Sequence, residues 1–186
     1  MPTRRPSAKQ ASDAHAMVDF WRTAGPSKWF AKNKQFDADF RERFAQAHFA
    51  AAHRELSGWL QEPESSLALI LLLDQYPRNA FRDTGHMFAT DGLALCYARQ
   101  ALRHLKDIEP DLRNFICLPF MHSENLLTQQ ESINLYRQHA PDSMRWAQEH
   151  HDIIARFGRF PHRNAALGRT TTQAEQAFLD AGGFSG

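Results

Sequence analysis

Apolar residues return along this chain every three to four positions, the spacing that gathers them on one face of a helix. No stretch alternates apolar and polar residues as a half-buried strand does. The pattern predicts a first helix over 12–23, with Ser12 or Asp13 as its cap and Gly25-Pro26 as its stop. A second is predicted over 33–60, interrupted near Gly58, with Phe36, Phe40 and Phe44 forming one stripe. Pro63 opens a third at a position that tolerates proline. Its core, Leu67 to Leu73, is apolar on every side, as in a helix covered by several neighbours. A buried strand is the alternative for such a run, but leucine and alanine without valine favour the helix.

A polar segment, Leu73 to Arg82, is predicted as a loop. Thr90 or Asp91 then caps a helix carrying Leu93, Tyr97, Ala101 and Leu105, and a short helix follows Pro110. Pro119 is expected to interrupt the chain. A further helix is expected from His122 or Ser123 through Leu126, Ile133 and Tyr136. Pro141 starts the next, which ends at Phe157-Gly158, glycine being the usual residue past a helix end. Thr171 or Thr172 caps the last helix, with Glu175 placed for a capping box, and Gly182-Gly183 closes it. The fold class is all-α: seven or eight helices stacked as antiparallel hairpins, without a repeat of fixed period. Residues 1–10 are expected to be a disordered basic leader, and 11–186 one helical domain.

Charge narrows the function classes. There are 22 Lys and Arg against 21 Asp and Glu, a net charge of +1. Nucleic-acid binders normally carry a clear basic excess, so none is expected here. Arginine outnumbers lysine, which favours fixed pairing geometry over a diffuse field. Cys96 and Cys117 lie in apolar helical patterns and read as buried free thiols of a reducing compartment. No apolar run approaches the ~20 residues of a membrane span, and no signal segment follows the N-terminus. A cytoplasmic protein without membrane association or cofactor is expected.

Two polar segments carry the candidate chemistry: LDQYPRNAFR at 73–82 and FGRFPHRNAALGR at 157–169. Each joins an aromatic, a proline, an arginine and an asparagine. Asp74 follows the apolar run directly, near an expected helix C-terminus where the dipole disfavours an anion. It therefore needs a cation, and Arg78, Arg82, Arg156 and Arg163 are the candidates. His150 falls in the apolar arc of Trp146, Ile153 and Phe157, with His151 at its edge. His122 is expected to share a helix face with Leu126, Gln129 and Ile133, with Glu124 turned to another side. His162 stands beside Arg163, whose charge favours a neutral imidazole able to act as a base. Each of these polar groups also has a plain structural reading as a satisfied core or loop-tying residue. The histidines show no metal-ligand spacing, and no phosphate loop, nucleophile elbow or dinucleotide fingerprint occurs. Trp29-Phe30 is either core or pocket wall.

LDQYPRN (73–79), FATD (88–91), PFMHSE (119–124), FGRFPHRN (157–164) and LGR (167–169) together resemble the bacterial family known as domain of unknown function 924. The resemblance runs from about Phe20 to Phe184 and includes Trp29-Phe30, although Tyr76 stands where phenylalanine is commoner. It implies a tetratricopeptide-like helical-hairpin fold. It implies positions rather than an activity: Asp74, Gln75, Arg78, Asn79, Asp91, His122, Ser123, Glu124, Gln129, His150, Arg159, His162, Arg163 and Asn164.

The first functional reading is a small-molecule enzyme or binding protein. His150, His162, His122, Asp74 and Glu124 are its candidate catalytic groups. Arg78, Asn79, Gln129, Arg159, Arg163 and Asn164 would hold an acidic ligand. The alternative is a non-catalytic helical-hairpin module that binds a peptide or protein. A third reading gives both polar segments a purely structural role.

Overall fold

A computed structural model describes residues 7–184, and among these the regular structure is helical throughout, with no strand. Helix α1 spans Ala8–Ala24 and ends at Gly25, whose φ of +72° suits glycine. The short α2, Pro26–Trp29, turns back so that the Trp29 ring N–H donates to the Trp21 carbonyl at 2.7 Å. Helix α3 spans Lys34–Ala52, capped by the Asn33 side chain, which accepts from the Gln35 and Phe36 amides. Its stripe of Phe36, Phe40 and Phe44 is buried against Phe20 of α1, with ring centroids 5.2, 5.4 and 5.3 Å away.

Helix α4, Pro63–Ile70, continues through a π-helical turn, Leu71–Gln75, into α5, Tyr76–Ala80. Its run from Leu67 to Leu73 is fully enclosed. Helices α6 (Asp91–Ala101), α7 (Arg113–Met121), α8 (Leu126–His139), α9 (Met144–Phe157) and α10 (Gln173–Asp180) follow. Neighbours in sequence pack together: α6 on α7, α7 on α8, and α8 on α9. Helix α4 lies between α1 and α6. Most of the apolar core is one cluster, including Trp21, Phe40, Trp59, Tyr76 and Phe115. A smaller cluster of Ile153, Ile154 and Phe160, with Phe157, Phe178 and Phe184, joins α9 to the C-terminal segment.

Several expected boundaries move. The helix expected over 33–60 stops at Ala52, and a 3-10 turn at Ser57–Gln61 replaces its last part. Ser12 and Asp13 lie inside α1 rather than at its cap. Of the leader expected over 1–10, residues 1–6 lie outside the described residues and Ala8 already belongs to α1. Pro119 lies inside α7, where Phe115 to Met121 are all buried and packing outweighs one missing amide donor. Helix α8 begins after Asn125, whose side chain accepts from the Thr128 amide; His122 is therefore the cap of α7 and shares no helix with Gln129. Cys96 is exposed, because the buried face of α6 is Ala94, Tyr97, Ala98 and Ala101. Cys117 is buried, and both thiols are free.

The largest change concerns the segment at 73–82, which is helical for most of its length. Pro77 has no amide hydrogen and would ordinarily break a helix. Here the Tyr76 amide reaches back five residues to the Leu71 carbonyl, the widened bonding of a π turn. The Leu72 and Leu73 carbonyls, left without helix amides, take side-chain donors. His48 Nδ1 donates to Leu72 O at 2.8 Å, and Thr90 Oγ1 to Leu73 O at 2.5 Å. Arg78 Nη1 also donates to Asp74 O, and Asn79 Nδ2 to Gln75 O. The C-terminal features appear as expected: Gly158 is left-handed with φ +70°, and Thr172 and Glu175 form a complete capping box.

Candidate functional site

The π turn delivers Asp74 into the interior, where its side chain is closed to solvent. The carboxylate meets three donors. His122 Nδ1 lies 2.8 Å from Oδ1, Gln75 Nε2 lies 2.7 Å from Oδ2, and Arg78 Nη1 lies 3.4 Å from Oδ1. Burial alone would raise the Asp74 pKa, but Arg78 and His122 outweigh it and hold the carboxyl well below the usual carboxylate range. An ionised carboxylate only accepts hydrogen bonds, so His122 Nδ1 carries the proton and Nε2 is the basic nitrogen. Burial, aided by Arg78, lowers the His122 pKa against the pull of Asp74, and the ring is neutral at pH 7.

Asp91, at the first position of α6, binds the two polar segments to each other. Arg78 forks onto both of its oxygens, at 2.8 and 2.9 Å. Arg163, from the short turn Pro161–Arg163, reaches Asp91 Oδ2 at 3.1 Å and the His122 carbonyl at 2.9 Å. The Arg163 guanidinium also lies over the rings of Phe88 and Phe160, at 4.5 and 4.6 Å. Burial lowers its pKa to about 10, opposed by Asp91.

His122, Arg78, Asn79, Arg163, His150 and His162 all line one pocket of about 360 Å³. Trp29, Phe30, Phe88, Trp146 and Phe184 form its aromatic walls, and Leu118 and Met121 come from the main core. His150 Nδ1 lies 2.8 Å from the Trp146 carbonyl. A carbonyl only accepts, so Nδ1 donates and Nε2 is left unprotonated. The His122 and His150 rings are 6.4 Å apart. Burial pushes the pKa values of His150 and His162 down to about 3, with Arg163 adding to the effect on His162. Phe184 packs edge-on against both rings, at 4.5 and 5.1 Å.

Other expected site residues lie behind the pocket. Glu124 is gripped by both Arg169 nitrogens at 2.8 Å and accepts from the Phe160 amide at 2.9 Å. Arg159 forks onto Glu175 at 2.6 and 2.8 Å. Asn164 lies between Thr171 and Glu175, and Gln129 donates to the carbonyls of Met121 and Ser123. Glu124, Arg159 and Asn164 hold the second segment and α10 in place, and Gln129 ties α8 to the end of α7; none of the four lines the pocket. Of the cations considered for Asp74, Arg82 pairs instead with Asp37, and Arg156 stacks on Phe157. Asn114, Tyr136, Phe88 and Phe184 are pocket residues that sequence reasoning does not single out. The FATD segment carries a signal for Phe88, whereas Tyr136 reads simply as core. Among the described residues no group of three or more His, Cys, Asp or Glu is arranged to hold a metal ion.

Fold and site together define an all-α protein with a buried Asp–Arg–His network beside an aromatic pocket. The chain belongs to the bacterial protein family of unknown function DUF924, whose model matches residues 17–183. It is similar to a solved structure of a protein of unknown function from Agrobacterium tumefaciens. The two share 52% identity and a TM-score of 0.90, over 92% of this chain and 99% of that one. A search of curated proteins finds no match. None of the described helices is long and apolar enough to cross a membrane.

Proposed function

We propose that this protein is a small-molecule enzyme whose pocket presents His122 as a general base, with Asp74 as its positioning residue. The 2.8 Å contact between Asp74 and His122 Nδ1, with the ring at the pocket wall, carries this reading. A carboxylate on one imidazole nitrogen fixes the tautomer and orientation and leaves the other nitrogen free to take a proton. An imidazole kept neutral by burial is ready for that role at pH 7. We place the protein in the cytoplasm, where its free cysteines stay reduced.

A small-molecule screen followed by thermal shift tests this reading. Compounds that raise the wild-type midpoint are then assayed for conversion. The expected result is conversion by wild type and none by His122→Asn, with binding retained. Undiminished conversion by that variant overturns the role of His122, and a screen without any stabilising compound overturns the pocket.

One observation favours a second reading, a peptide-binding module of the tetratricopeptide-like kind. Phe30 and Trp146 line the pocket yet are 64% and 41% exposed. Exposed aromatics at a cavity mouth suit contact with a protruding peptide side chain. Binding of peptides but no small molecule selects it.

A further inference from the structure

The charges around the pocket are balanced within the protein. Asp91 takes two bonds from Arg78 and one from Arg163, and Asp74 lies against Arg78 and His122. Arg82, the third arginine at the pocket, forks onto Asp37 at 2.8 and 3.0 Å. The expectation of an acidic ligand depends on guanidinium groups that are free to clamp it, and all three are already paired. A carboxylate ligand would have to draw an arginine from its aspartate, and an ammonium ligand an aspartate from its arginine. Either exchange leaves an uncompensated charge among mostly buried groups, which is unfavourable.

The polar atoms that these pairs leave over are themselves closed to solvent. Tyr136 Oη, Asn114 Oδ1, His162 Nδ1 and Arg163 Nε are buried without a partner among the described residues. All four residues line the pocket. Arg163 Nε can only donate, Asn114 Oδ1 can only accept, and the tyrosine hydroxyl can do both. Closed to water, these atoms offer a guest no direct hydrogen bond, and the lining that a guest meets is mainly apolar and aromatic. The aromatic walls suit a flat apolar body. The volume of about 360 Å³ suits a small guest of that kind, being at the lower end of the range for ligand pockets.

We propose that the pocket selects an uncharged aromatic guest over charged guests of the same shape, its ring among the aromatic walls. This rests on the reading of the pocket as a small-molecule site. Benzamide, benzoate and benzylamine, matched in shape and differing in charge, are the probes. They are titrated at neutral pH into the full chain, with the fluorescence of the pocket tryptophans as readout and calorimetry as confirmation. Benzamide is expected to bind at least about ten-fold more tightly than either charged analogue, a difference of about 1.4 kcal/mol. Equal or tighter binding of benzoate or benzylamine overturns the charge selection while leaving the pocket reading intact. Silence from all three overturns the proposal, and the broader screen described above then decides whether the pocket reading falls with it. Asp91→Asn releases guanidinium charge and is expected to move the preference about ten-fold toward benzoate. An unchanged preference in the folded variant contradicts the proposal. If circular dichroism shows that this variant does not fold, the wild-type series decides alone.

Discussion

Thr90 Oγ1 donates to the Leu73 carbonyl at 2.5 Å, filling an acceptor that Pro77, four residues on, cannot serve. The bond spans two of the segments that build the site. Asp74 follows Leu73 directly and Asp91 follows Thr90, so one hydroxyl helps to set the spacing of the two carboxylates that flank Arg78.

Replacing Thr90 with valine keeps the shape and removes the donor. A buried carbonyl without a partner costs about 1–3 kcal/mol. Thr90→Val should therefore lower the thermal midpoint by about 2–10 °C in a chain of this size, and a thermal melt followed by circular dichroism checks it.

Acid should weaken the fold before it reaches the carboxylates. In the unfolded chain the imidazoles of His150 and His162 take a proton near their ordinary pKa of 6.5, but in the folded protein only near about 3. Between those values the unfolded state binds more protons. Stability is therefore fully present above about pH 6.5 and falls as pH drops toward about 3, at up to about 1.4 kcal/mol per pH unit for each proton. The slope from urea melts across this window should become shallower in His150→Gln. An equal slope in the variant would show that this ring does not contribute.

Glu124 distinguishes a catalytic group from a strut. Its carboxylate is committed to Arg169 and to the Phe160 amide, away from the pocket lining. Glu124→Gln should cost about 1–2 kcal/mol, since the pair is only partly shielded from solvent. Pocket binding should stay within about two-fold of wild type. A loss of binding without a loss of stability would place Glu124 in the site.

Local chemistry makes much of the scaffold readable. The Phe36, Phe40 and Phe44 stripe, the Gly158 helix stop and the Thr172–Glu175 capping box each depend on neighbours within a few residues. The link from Asp74 to Arg78 has the four-residue spacing of a helix, so it too is within reach of sequence reasoning. The π turn is not, because its carbonyls depend on His48 and Thr90, which are distant in the chain. His122 reads as part of the following helix, whereas Asn125 is the cap that starts α8. The pairing of His122 with Asp74 spans 48 positions, and no periodicity encodes it. The pocket walls are equally scattered, from Trp29 to Phe184. Asp91 reads only as a helix cap or a motif position, yet it pairs with two arginines that look like a clamp for an acid.

The imidazole nitrogens of His122 provide the most direct test, by long-range nitrogen–proton correlation NMR on the full chain at pH 7. The Asp74 contact predicts a neutral ring with its proton on Nδ1, and Asp74→Asn should disturb that signature. A ring protonated on both nitrogens, or one carrying its single proton on Nε2, would contradict the proposal that this histidine stands ready as a base.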